Sequence, residues 1–164
     1  MDADTAKVYA EINASRSGLV TPRKPAADNP NISQTISNTD GTTTYVLKSS
    51  DSNVNNIRVN YDAEGFPDFT PHLYNDGINT VNIKLTGNRN HDFALANELA
   101  GFGRSANATP DGFTWHHHQD LGVMQLVRSD VHSLSPHTGG VSIWQKAFGF
   151  DYLPKTNASN AFQR

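Results

Sequence analysis

The chain has 164 residues, a formal net charge of -3, a hydrophobic share of 36% and no cysteine. That length suits one domain with a single core and is short for two. Without cysteine there can be no disulfide and no thiolate zinc site, so any metal must sit on His, Asp, Glu or Asn. The negative balance excludes a chain that grips a polyanion by overall attraction, and nucleic-acid binding would need a local basic patch.

Asp4 to Ser15 sets Val8 and Ile12 at helical spacing and predicts a short helix. From Gly18 to Asn38 the composition turns to Pro, Asn, Ser and Thr, with Thr21-Pro22 and Asn29-Pro30. This reads as a linker, mobile or lying across the surface, so residues 1–40 form a largely irregular N-terminal extension. Met1-Asp2-Ala3-Asp4 lacks the basic start and apolar run of a secretory signal. No run of roughly 18 apolar residues offers a membrane span. Thr42 to Leu47, Asn56 to Tyr61 and Thr80 to Leu85 read as strands of one small antiparallel sheet. Between the last two, Glu64-Gly65-Phe66-Pro67-Asp68-Phe69 makes a turn with two phenylalanine anchors. His91 to Leu99 spaces Phe93, Ala96 and Leu99 as one helical face, closed by Gly101 and Gly103.

Phe113 to His117 and Val123 to Val127 read as a hairpin turning through Asp120-Leu121-Gly122. A helix follows, with Ser129 or Asp130 as N-cap, Val131 and Leu134 facing inward, and Pro136 or Gly139-Gly140 as its stop. Val141 to Phe148 is a last amphipathic helix. The expected organisation is an α+β domain over 41–153, with its centre at 113–140, and a flexible tail over 154–164.

Of the seven histidines, five fall between His116 and His137. Alternation along the strand sends His116 and His118 to one face and His117 to the other, and a helix packed across the hairpin can bring His132 close. Trp115 and Met124 read as core packing, and His72 and His91 as structural or solvent-exposed. Asp68 and Asp92 could each orient an imidazole or simply cap a turn or a helix. Arg89, Arg104, Arg128 and Lys146 are candidate phosphate contacts.

The runs Phe113-Thr114-Trp115-His116-His117-His118-Gln119-Asp120, Gly122 to Val127, Asp130-Val131-His132 and His137-Thr138-Gly139-Gly140 resemble the WHH/HHH branch of the HNH/endonuclease VII (His-Me finger) superfamily. Members are nucleases at the C-terminal ends of bacterial polymorphic toxins. The resemblance extends back to about Arg58 through Gly65-Phe66-Pro67-Asp68-Phe69 and Gly87-Asn88-Arg89, and leaves out the segment up to Asn38. It implies a ββα-metal motif following the small sheet: one divalent ion (Mg2+, Zn2+, Ni2+ or Mn2+), His116 as ligand within the catalytic pair, His117 as general base, and His132 as second ligand. His137 falls near a further helical ligand, though five residues from His132 instead of four. The bracing asparagine of these nucleases would fall at Val123, which cannot brace, leaving Gln125, Gln119 or the backbone for that task. His118, Gln125, Arg89, Arg128 and Asp92 are further candidates for substrate or supporting contacts.

Such a site would hydrolyse phosphodiesters, leaving a 5′-phosphate and a 3′-hydroxyl: the ion neutralises growing charge on phosphate and leaving oxygen, and a neutral imidazole near its working pH activates water. The implied setting is a toxin domain cutting DNA, or RNA, inside a target bacterium. It would be secreted or injected by a larger delivery protein and held in check by an immunity protein. A rival from another class is a structural zinc site closed by His116, His118, His132 and His137.

Overall fold

The computed structural model describes residues 1–50 and 53–154; the expected flexible tail lies, beyond Pro154, outside the described residues. Among the described residues four α-helices, α1 (Ala3–Ser15), α2 (Arg89–Ala100), α3 (Ser129–Leu134) and α4 (Gly140–Phe148), stand with seven strands, β1 (Ile32–Ser37), β2 (Thr43–Leu47), β3 (Arg58–Tyr61), β4 (Pro67–Asp68), β5 (Thr80–Asn82), β6 (Phe113–His117) and β7 (Val123–Arg128). The class is α+β. Instead of one sheet there are two antiparallel ones, ordered β1-β2-β3-β4 and β5-β7-β6. The strand predicted at Thr80 to Leu85 leaves the first sheet to pair with the hairpin, Val81 opposite Met124. No helix among the described residues is long and apolar enough to cross a membrane.

The N-terminal segment is more regular than its composition implies. Asp2 caps α1 by accepting from the Thr5 amide at 2.8 Å, as a short side-chain acceptor does at a helix start. α1 buries Tyr9 and packs Ile12, while Val8 stays 41% exposed. Inside the stretch read as a linker, β1 pairs with β2 from Ser37–Thr43 back to Ile32–Leu47. It is an edge strand with Ile32 and Ile36 half-buried and the residues between them exposed, so its Ser, Gln and Thr face water and hide it from a hydropathy reading.

The β6–β7 hairpin is covered on both sides. Trp115, Met124 and Leu126 join Tyr9, Phe66, Ile83, Ala96 and Ile143 in one core, whereas Val127 joins Tyr45, Val59, Tyr61, Phe69 and Val131 in a second. Trp115 is thus core, as expected, and its Nε1 donates to Asn97 Oδ1 at 2.7 Å. Of the face predicted for α2, Ala96 is buried and Phe93 packs against the core, but the stripe is shifted at Leu99. Asp92, Ala96, Asn97 and Ala100 are buried, while Leu99 is 55% exposed. The buried stripe carries two polar residues whose partners lie far away in the chain, so the apolar spacing pointed one residue astray.

Candidate metal centre and catalytic cleft

β6 delivers its histidines to opposite faces. On the inner face, His116 meets His132 of α3 and His137, which lies in the loop after α3 and not in a helix. The five-residue spacing follows, because α3 ends at Leu134. No side chain caps α3: the N-cap position is Arg128, not Ser129 or Asp130. Each of the three imidazoles offers a nitrogen such that all lie within 4.8 Å of one another. They surround the ring of Phe69, with centroids at 5.0 Å for His116, 5.6 Å for His132 and 5.4 Å for His137. Phe69 was legible only as a core anchor, because its contacts with the histidines come from distant parts of the chain.

This trio could hold one metal ion. His137 Nδ1 donates to the Ser135 carbonyl at 2.5 Å, which fixes the tautomer and leaves the Nε2 lone pair free. Nε2 of His137 and Nε2 of His116 are buried without a hydrogen-bond partner, an expensive arrangement unless something binds them. His132 Nε2 lies 3.3 Å from His116 Nδ1, a spacing expected for two ligands on one tetrahedral ion, given metal–nitrogen bonds of about 2.0–2.1 Å. Burial, reinforced by the charge of neighbouring imidazoles, holds His116 and His132 well below the ordinary histidine range. Burial likewise pulls His137 down to about 4, against the Ser135 carbonyl that favours its charged form. All three are therefore neutral near pH 7, the form a metal requires.

The loop 135–139 is tied down from outside. Tyr61 donates to the Pro136 carbonyl at 2.6 Å, and the Arg23 amide donates to Thr138 at 2.9 Å. Gly140 has to be glycine, since a Cβ there would lie 2.5 Å from the His118 carbonyl.

His117 occupies the other face. Its Nε2 lies 2.9 Å from Asp92 Oδ2, and Asp92 is fully buried in α2. Burial alone would raise the Asp92 carboxyl, but hydrogen bonds from His117, Tyr152 and Thr86 hold it below the usual carboxylate range. An ionised carboxylate only accepts, so His117 Nε2 carries the proton and Nδ1 keeps its lone pair. Of the two readings open for Asp92, the structure has the one that orients an imidazole. The Thr86 amide and hydroxyl fill Asp92 Oδ1 at 2.9 and 2.7 Å. Tyr152, which the sequence reading did not single out, donates to Oδ2.

His117 and His132 border the same cleft of about 590 Å³, together with Arg89, Asn90, Phe93, Ser129, Asp130 and Ser133. Of the cationic candidates only Arg89 lines it. Arg128 pairs with Asp130 at 2.8 Å and donates to the Asn53 carbonyl, while Arg104 sits on Glu98 at the surface. His72 Nε2 donates to the Arg58 carbonyl at 2.8 Å, a structural use.

His118 stands apart from the trio. Its Nδ1 accepts from the Asp120 amide at 2.9 Å, and burial lowers its pKa. The turn between β6 and β7 is closed by backbone, His118 N–H to the Val123 carbonyl at 3.0 Å and Val123 N–H to the Asp120 carbonyl at 3.1 Å. Gln125 is half-buried opposite His116 across the strand pair, and Gln119 Oε1 is buried unpartnered. Arg16 clasps the same turn from the end of α1, reaching Asp120 at 2.5 Å and Glu64 at 3.0 Å, over the ring of Phe66.

Fold and site together define a small α+β domain in which a trio of neutral, buried imidazoles and a carboxylate-held fourth lie on either side of one strand, and His132 of the trio shares a cleft with the fourth. Residues 59–139 match the family described as the DNase/tRNase domain of colicin-like bacteriocin. Over that stretch, just under half of the chain, the sequence is similar to this family, which is consistent with a nuclease toxin domain. Neither a curated protein nor a solved structure gives a significant match.

Proposed function

We propose that the protein is a metal-dependent endonuclease of the His-Me finger type. In this reading His116, His132 and His137 hold one divalent ion, and His117 is the general base. The observation that carries it is the division of labour on β6: His116 Nδ1 lies 3.3 Å from His132 Nε2 within the trio, and the next residue is fixed by Asp92 with its Nδ1 lone pair free. When bound, the ion would act as a Lewis acid on the phosphate and on the departing oxygen. His117 Nδ1 takes the proton from the attacking water, and Asp92 holds the imidazole and stabilises the imidazolium that results. Arg89 meets a phosphate of the strand in the cleft.

Three ligands leave a coordination position open, which supports catalysis over a closed structural zinc site. His118 is committed to the turn at Asp120, so the fourth ligand of that rival is lacking. DNA with little sequence preference is the proposed substrate. The family description covers both DNase and tRNase, so RNA is the second substrate to offer. The same kinship supports an immunity protein as partner and delivery into a target bacterium by a larger toxin. We assign residues 41–153 to the nuclease domain proper, with residues 1–40 as an extension that braces it.

Cleavage of plasmid DNA and of RNA, with Mg2+, Mn2+, Ni2+ or Zn2+ added after chelation, tests the proposal beside His117→Ala. The expected result is cutting that returns only with metal and falls about 10²–10⁴-fold in the variant. Equal cutting by both proteins would remove His117 from the role of base.

A further inference from the structure

Tyr152 lies beyond the family match, is 1% exposed and does not line the cleft. It nevertheless touches working groups of two different kinds. Its hydroxyl donates to Asp92 Oδ2, the oxygen that also takes the His117 proton. Its ring stands edge-on to the His117 imidazole, with centroids 5.5 Å apart, and to Trp144 at 5.0 Å. Its face carries the Arg89 guanidinium at 5.6 Å.

The backbone around it is tied on both sides. Tyr152 N–H donates to Gln145 Oε1 at 2.8 Å, Leu153 N–H to the Gly87 carbonyl at 2.7 Å and Arg89 N–H to the Leu153 carbonyl at 2.6 Å. Arg89 Nη1 donates to the Pro154 carbonyl at 2.7 Å.

We propose that Tyr152 is a positioning residue with two separable duties: its hydroxyl acts through Asp92 on the orientation of His117, and its ring face holds Arg89 against the cleft where a substrate phosphate passes. The inference rests on the nuclease reading above. The physical case for the first duty is that Thr86 anchors Oδ1, so Oδ2, with His117 as its one other donor, can still pivot about that anchor relative to the imidazole. A second donor from a fixed ring pins it and leaves it an acceptor. For the second duty, an aromatic face orients a planar guanidinium without consuming the N–H groups that bind phosphate.

The two duties give different kinetic signatures. Steady-state cleavage of a short fluorescent oligonucleotide, DNA or RNA according to which the unaltered protein cuts, compares Tyr152→Phe, Tyr152→Leu and Arg89→Ala. Tyr152→Phe keeps the ring and is expected to lower kcat about 10- to 100-fold with KM unchanged, as lost supporting contacts do. Tyr152→Leu is expected to lower kcat equally and also to raise KM as far as Arg89→Ala does. In an Asp92→Asn background Tyr152→Phe should cost nothing more. Metal titration by calorimetry and the thermal midpoint accompany each variant. Wild-type kcat in Tyr152→Phe, a further loss on top of Asp92→Asn, or a fall in metal affinity equal to the fall in kcat overturns the proposal. Failure of the unaltered protein to cut at all, or undiminished cutting by His117→Ala, would sink the nuclease reading instead.

Discussion

The two faces of β6 carry the same side chain at adjacent positions and make different things of it. His116 faces Phe69, His132 and His137, with no carboxylate in contact, and its Nε2 lacks a partner. His117 faces α2, where a buried carboxylate accepts a hydrogen bond from its Nε2. In the proposed reading, identical imidazoles serve as ligand and base because one face offers other neutral imidazoles and the other a fixed carboxylate acceptor. Role is set by what packs above the strand, not by the strand.

This contrast can be broken from either side. The largest effect is expected on the inner face: His116→Ala should abolish both metal binding and cleavage, whereas His117→Ala should retain the ion, and calorimetry on the two variants reads the difference. Next comes Asp92→Asn, which replaces an anionic acceptor by an amide that has no charge to hold the imidazolium. It should cost about 10- to 100-fold in kcat, with metal affinity unchanged.

A smaller effect concerns acid. The three inner histidines titrate lower in the fold than in the unfolded chain, where a value near 6.5 applies, and His137 falls to about 4. The unfolded chain therefore binds more protons between these values, so stability is full above about 6.5 and drains as pH falls towards 4. For His137 alone the loss is roughly 3 kcal/mol. Chemical denaturation of the metal-free protein across that window should show it, and a flat profile would mean that the inner face is not dry. Smallest is Arg16→Ala. Its partners Glu64 and Asp120 are about half exposed, which limits the pairs to surface values. Together with the contact over Phe66 the loss should be ~1–2 kcal/mol, read as a lower thermal midpoint.

Much of the inner face was legible in order along the chain. The hairpin appears where alternation and the turn at Asp120-Leu121-Gly122 place it, and His116, His132 and His137 meet as their clustering suggests. The outer face was harder to read. Asp92 could be placed beside a helix start but not aimed, because the apolar spacing of α2 favours Phe93 and Leu99 and turns Asp92 away. Tyr152 and Phe69 carry no local mark at all, since an aromatic residue in a loop looks the same whether it packs in a core or against a catalytic group. β1 was missed because an edge strand satisfies its pairing through backbone and needs few apolar side chains.

What the amino-acid order determined by itself is the hairpin, the helix after it and the supply of imidazoles, because these depend on periodicity, turns and residue type over a few neighbours. How each imidazole is held, and so which suits an ion and which a proton, was decided only when α2, Phe69, Tyr61 and Tyr152 closed around the strand. Dielectric, tautomer and lone-pair direction depend on contacts between groups 16 to 60 positions apart, and only the folded packing brings them within hydrogen-bond reach.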